Sequence, residues 1–199
     1  MELILVDQRA ELVQELEGKV IRMVKDQNGN HVIQKAIEMI PTEGIAFITS
    51  SFVGQVHHLA IHNYGCRVIQ RMLESHHEPA KTNILEELTG CASTLVVDQF
   101  GNYVAQNIIK HGRACDRDKL IANITTNLAS FATQKYASNV VEIAYVHSTF
   151  EQRQKLVGVA TSLEANGDSL MYRLIRDQYG NYIIRKFNLL CIAAWYDNI

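Results

Sequence analysis

Five short clusters of polar and flat side chains recur along the chain: Asn30, His31, Gln34; Cys66, Arg67, Gln70; Asn102, Tyr103, Gln106; Ser138, Asn139, Glu142; and Asn181, Tyr182, Arg185. Each cluster occupies positions 1, 2 and 5 of a common block, so its three members fall on one face if the block is helical. A solvated face would be rich in Lys and Glu, whereas this one carries short amides, one carboxylate and flat groups. The chemistry suits unpaired nucleobases. Flat or extended groups at position 2 (His31, Arg67, Tyr103, Asn139, Tyr182) can stack on a base. Asn with Gln offers both donors and acceptors and can satisfy the O2 and N3–H edge of uracil. Glu142 only accepts, which suits the adjacent N1–H and N2–H donors of guanine. Gln70 beside the small Cys66 leaves room for a purine and can bond the adenine edge. These edges are hidden in a duplex, so the implied ligand is single-stranded RNA or DNA.

The elements that must position these residues are set by a repeat. DQNGNHVIQKAIE, HNYGCRVIQRMLE, DQFGNYVAQNIIK, QKYASNVVEIAYV and DQYGNYIIRKFNL begin at Asp26, His62, Asp98, Gln134 and Asp177. The first four start 36 residues apart and the fifth follows after 43. Gly18, Gly54 and Gly90 keep the same phase. Stacked units of this length predict a solenoid, in which each unit buries its apolar face against its neighbours. The second unit reads as a short helix over GQVHHLAIH, a turn at NYG, a longer helix over CRVIQRMLESH, and a third helix from Ala80 to Leu88. Gly29, Gly65, Gly101 and Gly180 are expected to supply positive φ in the turn. The following Asn30, Asn102, Ser138 and Asn181 are expected at an N-cap or in the first turn. Positions 3, 4, 7 and 8 (Val32, Ile33, Ala36 and Ile37 in the first unit) form the core stripe. Pro41 and Pro79 are placed to stop the second helix. Units are assigned to about 18–53, 54–89, 90–125, 126–168 and 169–199, the last degenerate, with 1–17 as a remnant helix of an upstream unit. Ser162 to Asp168, with Asn166-Gly167, is read as a loop holding the extra residues.

Composition agrees with a helical array. The 199 residues are 47% hydrophobic and 20% charged, with 2 Pro and 11 Gly. A core can be buried, and breakers are too few for a sandwich or barrel. The net charge of −2 argues mildly against a nucleic-acid binder, although cations can still gather on one face. No apolar run is long enough to span a bilayer, and the acidic-flanked start is not read as a signal peptide. Four Cys without a CxxC do not make a disulfide framework, which points to a reducing compartment.

NHVIQ, CRVIQ, NYVAQ and SNVVE, spaced by 36, resemble the repeats of the PUF (Pumilio) family of RNA-binding proteins. The resemblance runs to about Lys186, and SNVVE is distinctive of the penultimate repeat. It implies an all-α, right-handed α-solenoid of three-helix repeats forming a curved arc. RNA would bind the concave face, antiparallel to the chain, with one base per repeat. Carried over residue by residue, it implies that Asn30/Gln34 reads U, Cys66/Gln70 reads A, Asn102/Gln106 reads U and Ser138/Glu142 reads G. The implied target is 5′-UGUAU in mRNA 3′ untranslated regions. Implied partners are that single-stranded mRNA and, on the convex face, a deadenylase complex and other repressor proteins. The implied outcome is cytoplasmic repression or decay, with no cofactor and no membrane contact. Two departures stand out. Arg185 replaces the expected Gln and, as a donor-only group, cannot accept from uracil N3–H; it suits cytosine O2 and N3, or a phosphate. After Lys186 the chain reads FNLLCIAAWYDNI, without the expected third helix and polar cap, as expected of a truncated product or an unusual gene model. Phe187, Leu189, Leu190, Ile192 and Trp195 are expected either to pack as an improvised helix or to drive self-association through open solenoid ends.

Rival readings are weaker. His58, His62 and Cys66 have the spacing of metal ligands, but Asn63-Tyr64-Gly65 breaks the helix between them and no second Cys pair completes a site. His76-His77 reads as a solvated helix end, and Cys91, Cys115 and Cys191 as small packing residues. No nucleophile–base set or phosphate loop has supporting spacing, so no enzyme is expected. The main alternative is a protein-binding helical scaffold, which would not need the paired variation of positions 1 and 5.

Overall fold

The structure, a computed structural model, describes residues 11–163 and 167–187. Helices recur in triplets. Short entry helices span Val20–Val24, Val56–Ala60, Ala92–Val97, Leu128–Phe131 and Leu170–Arg176. Each is followed by an inner helix: Gly29–Met39, Gly65–Glu74, Gly101–His111, Ala137–His147 and residues 180–187. Outer helices follow the first four: a 3-10 turn Thr42–Ile45 with Ala46–Ser50, then Ala80–Gly90, Ala114–Thr126 and Phe150–Thr161. The first four inner helices pack consecutively on one another, which is the stacking of a solenoid. Among the described residues no helix is long and apolar enough to cross a membrane.

The apolar stripe of the inner helices is the core. Ile33, Ala36 and Ile37, then Val68, Ile69, Met72 and Leu73, then Val104, Ala105, Ile108 and Ile109 are all buried. Each large aliphatic side chain so buried contributes about 1.5–3 kcal/mol. Val32 departs from the expected stripe and is 39% exposed. Its equivalents Val68, Val104, Val140 and Ile183 are buried. Position 3 therefore faces the preceding unit, and for Val32 no upstream inner helix lies among the described residues.

The glycine expectation needs correction. Positive φ occurs at Gly18, Gly54 and Gly167, not at Gly29, Gly65, Gly101 or Gly180. Those four open the inner helices against the entry helix. A Cβ on Gly65 would lie 2.7 Å from the Leu59 carbonyl oxygen, and one on Gly101 2.9 Å from that of Leu95. Close backbone approach, not left-handed geometry, selects glycine there. The fourth unit carries the buried Ala137 instead.

The helix entrance is capped by the residue that opens each repeat block. Asp26, Asp98 and Asp177 each accept the two backbone N–H groups entering the helix, as Phe100 and Gly101 donate to Asp98 Oδ1 at 2.8 and 2.7 Å. Gln134 Oε1 does the same for Tyr136 and Ala137, and His62 Nδ1 for Tyr64 and Gly65. The carboxyl of Asp26 is held below its usual range by those same amides. Its acceptor role predicts that Asp98→Ala costs about 1 kcal/mol, lowering the melting temperature by roughly 2–4 °C in calorimetry, whereas Asp98→Asn retains most of the stability. An unchanged melting curve for Asp98→Ala would show that the turn holds itself.

Pro41 follows directly on the C-cap Ile40 of Gly29–Met39, where it can stop that helix as expected, whereas Gly65–Glu74 already ends at its C-cap Ser75, so Pro79 does not stop it; both prolines are N-cap residues of the outer segments. The outer helix Phe150–Thr161 starts on a Thr149/Gln152 capping box. Ser162 and Gly167–Ser169 lie outside the helices, with Leu163 and Ser169 forming one isolated bridge. Phe187 is buried and its ring centroid lies 4.1 Å from that of Tyr145. The expectations for residues 1–10 and for Leu189, Leu190, Ile192 and Trp195 lie outside the described residues.

Candidate nucleic-acid interface

The inner helices carry the fifteen residues singled out above in a regular gradation of depth. Position 1 is buried in the first four units: Asn30, Cys66, Asn102 and Ser138 are at most 8% exposed. Position 5 is half-buried at Gln34, Gln70, Gln106 and Glu142. Position 2 is exposed throughout, at His31, Arg67, Tyr103, Asn139 and Tyr182. The fifth unit breaks the pattern, with Asn181 half-buried and Arg185 exposed.

This gradation assigns different work to the two amides. Asn30 Nδ2 donates to the carbonyls of Asp26 and Gln27 at 2.9 and 2.7 Å. Asn102 Nδ2 donates to Asp98 and Gln99, both at 3.0 Å, and Asn181 Nδ2 to Asp177 and Gln178 at 2.8 and 3.2 Å. These residues are therefore in the first turn rather than at the N-cap. In the free chain these amide donors lie on backbone carbonyls. The Asn oxygen instead accepts from the Gln one turn later: Gln34 Nε2 to Asn30 Oδ1 is 2.8 Å and Gln106 Nε2 to Asn102 Oδ1 is 3.1 Å. Each Gln keeps a second N–H and its Oε1, the donor and acceptor that a uracil O2/N3–H edge requires. The buried Asn acts as an anchor that fixes the Gln rotamer.

The second and fourth units depart in the direction that a different base would need. Cys66 is a buried thiol whose pKa burial pushes up, so it remains neutral and small. Gln70 Nε2 donates to the Cys66 carbonyl at 3.1 Å instead of to a side chain. Ser138 Oγ donates to the Lys135 carbonyl at 3.1 Å. Ser138, Asn139 and Glu142 line a cleft of about 360 Å³ whose far wall is Tyr179, Tyr182 and Ile183 of the next unit. Glu142 supplies acceptors to the cleft, which Asn139 and Tyr182 also line. A separate cleft of about 280 Å³ lies between outer segments, lined by Ala46, Val53, Ala80 and Ile84 among others. It contains none of the base-edge residues.

Two of the expected stacking groups are in contact with each other. The Arg67 guanidinium carbon lies 5.3 Å from the Tyr103 ring centroid. A flat ring placed between them would need roughly 7 Å, two van der Waals separations, so Arg67 would have to lift from Tyr103 to admit one. In the fifth unit Arg185 lies over its own Tyr182, 5.6 Å from the ring centroid.

The metal-ligand spacing of His58, His62 and Cys66 does not produce a site. His62 Nδ1 is spent on two backbone amides, Cys66 Sγ faces the Asn63 carbonyl, and no cluster able to hold a metal occurs among the described residues. Burial, assisted by Lys25, depresses the His62 pKa, in keeping with a neutral acceptor. His76-His77 is not merely a solvated end: His77 bridges units through the Thr42 hydroxyl at 2.9 Å and the Ile37 carbonyl at 2.7 Å.

Two groups were missed in the sequence. The five acceptors Asp26, His62, Asp98, Gln134 and Asp177 open every repeat block, and their shared ability to accept was the available signal. Lys186, which pairs with Glu142, left no such signal because the two belong to different units.

Solved structures share this architecture. The Puf3 RNA binding domain bound to a Cox17 RNA 3′ UTR recognition sequence, site A, superposes with a TM-score of 0.87 at 40% identity, over 93% of this chain and 57% of that one. The same domain bound to site B gives 0.88 at 37% identity, over 100% and 63%. PUF-8 in complex with PBE-RNA gives 0.87 at 30% identity, over 91% and 53%. The chain thus spans 53–63% of the length of these structures. No curated protein matches it. A family model, the Pumilio-family RNA binding repeat, matches residues 19–49, 55–89, 92–125, 127–159 and 171–187. With five such repeats matched, the first four stacked through their inner helices, the chain belongs to the Pumilio family.

Proposed function

We propose that the chain binds single-stranded RNA in a sequence-selective manner, one base per inner helix, at 5′-UGUAU-like elements. The observation that carries this reading is the Asn–Gln relay at 2.8 and 3.1 Å in the first and third units, set beside the Glu142 cleft of the fourth. A relay of this kind aims one donor and one acceptor per unit into the groove, and the carboxylate replaces it where two base donors must be met. Read antiparallel, the four intact pairs select G, U, A and U, and the fifth unit receives the 5′ base. The fifth site is the least uracil-like, because Arg185 only donates and is occupied over Tyr182. The reading extends to mRNA 3′ untranslated regions as the location of these elements. It further extends to cytoplasmic repression or decay of the bound message through protein partners on the convex side, a deadenylase complex among them.

Affinity follows from the number of bases. Stacking is worth roughly 1–3 kcal/mol per base, and about four bases must offset the entropy of ordering a flexible strand. The expected dissociation constant is on the order of micromolar. In fluorescence anisotropy at fixed salt, a labelled RNA containing UGUA is expected to bind at least about tenfold more tightly than one containing ACAA, since two or more edges are mismatched at about 1–3 kcal/mol each. Equal affinity for the two would instead favour a helical scaffold without base choice. A subnanomolar constant would reveal contacts beyond the five units.

A further inference from the structure

Lys186 Nζ lies 3.2 Å from Glu142 Oε1, with the two side chains 43% and 33% exposed. Glu142 is at position 5 of the fourth unit, and Lys186 is at position 6 of the fifth. Position 6 falls one helical turn after position 2, so Lys186 sits beside Tyr182 on the side of its helix that faces the preceding unit. In the second unit Arg71, also at position 6, likewise reaches back to the preceding inner helix, where it ion-pairs with Glu38, one turn beyond position 5, at 3.0 Å. The ion pair therefore sits at the edge of the cleft formed by Ser138, Asn139, Glu142 and Tyr182.

We propose that Lys186 is a specificity-determining residue of the guanine site, completing with Glu142 a three-point match to one base edge. The inference rests on the reading of the fourth unit as guanine-selective. Guanine presents, in order, O6 as acceptor, N1–H as donor and the N2 amine as donor. A carboxylate alone meets the two donors and leaves O6 facing a negative charge. With Lys186 on Oε1, the order across the cleft becomes donor, acceptor, acceptor. Oε1 then takes N1–H, Oε2 takes the N2 amine, and the ammonium beside Oε1 donates to O6. Uracil matches Lys186 through O4 and Oε1 through N3–H but opposes its O2 to Oε2, so the pair favours guanine over uracil.

The test uses the purified chain, Lys186→Met, and RNAs containing UGUA, UUUA, or UGUA with inosine or 2-aminopurine in place of guanine. Lys186 is half exposed, and an unchanged melting curve checks that the variant folds. The variant is expected to lose about tenfold in affinity for the guanine and inosine RNAs, both of which carry O6. Its loss on the 2-aminopurine RNA, which has no O6, is expected to stay under about twofold, whereas the uracil RNA, which keeps an acceptor in O4, is expected to lose along with guanine, and Lys186→Arg should recover part of the guanine affinity. A uniform loss on all four RNAs, with the salt slope reduced by about 0.7, would place Lys186 on a phosphate and overturn the proposal. So would no loss on any RNA. A wild-type chain that binds UGUA and UUUA equally would overturn the guanine reading itself, which separates that failure from failure of the lysine's role.

Discussion

The double variant Ser138→Asn, Glu142→Gln is expected to prefer UUUA over UGUA, reversing the wild-type order. The argument comes from what the first and third units do with the same residues. At position 1, Asn places its amide donors on two backbone carbonyls of the preceding turn and its oxygen toward the Gln at position 5. The fourth unit has those carbonyls at Gln134 and Lys135; the latter already accepts from Ser138 and Asn139. An Asn there is expected to anchor a Gln at 142 as Asn30 anchors Gln34. The new Gln then offers one donor and one acceptor, matched to uracil, where Glu offered acceptors only. A matched edge is worth about 1–3 kcal/mol of discrimination. Moving the preference from about thirtyfold for G to about thirtyfold for U changes the affinity ratio by roughly 10³, read by paired titrations at one salt concentration. The single Glu142→Gln variant lacks the anchor and is expected to fall between. If the double variant still prefers UGUA, position 5 does not read the base.

Tyr103→Ala is expected to weaken binding of UGUA RNA about thirtyfold, the middle of the range for loss of a stacking platform. Tyr103 is 44% exposed, carries Arg67 over one face, and belongs to an inner helix whose position 4, 7 and 8 residues are buried. Truncation removes the ring without disturbing the core, so the melting temperature should move little. The loss should be similar for RNAs that differ at the neighbouring bases, because every base has a face to stack. Arg67→Ala makes a useful contrast. It removes one stacking group but also frees Tyr103, which otherwise must shed Arg67 to accept a base. Its net loss is expected to be smaller, about threefold, with a weaker salt dependence. Tyr103→Phe keeps the ring and should bind like the wild type; a large loss in Tyr103→Phe would assign the contact to the hydroxyl instead.

Much of this was legible in the residues alone because the relevant geometry is local. A helix places positions 1 and 5 one above the other whatever surrounds it, so Asn30 with Gln34 and Ser138 with Glu142 could be paired from spacing. The apolar stripe followed from the same period, and the 36-residue repeat fixed a stacked helical array because no unit can bury its stripe alone. The tertiary structure decided what depends on distance between elements. Gly65 and Gly101 are glycine because an entry helix carbonyl lies where a Cβ would be, and a turn residue with ordinary φ gives no local sign of that. Val32 has the composition of a core residue but lies on a face that only an upstream helix could cover. The burial of Asn30 gives it an anchoring role that spacing alone did not show, since its donors meet carbonyls of the turn and its oxygen meets Gln34. The Glu142–Lys186 pair joins two units across the enlarged interval between the fourth and fifth blocks. Its existence depends on the rise and rotation between stacked inner helices, set by side-chain packing over the whole interface and not by any period in the sequence.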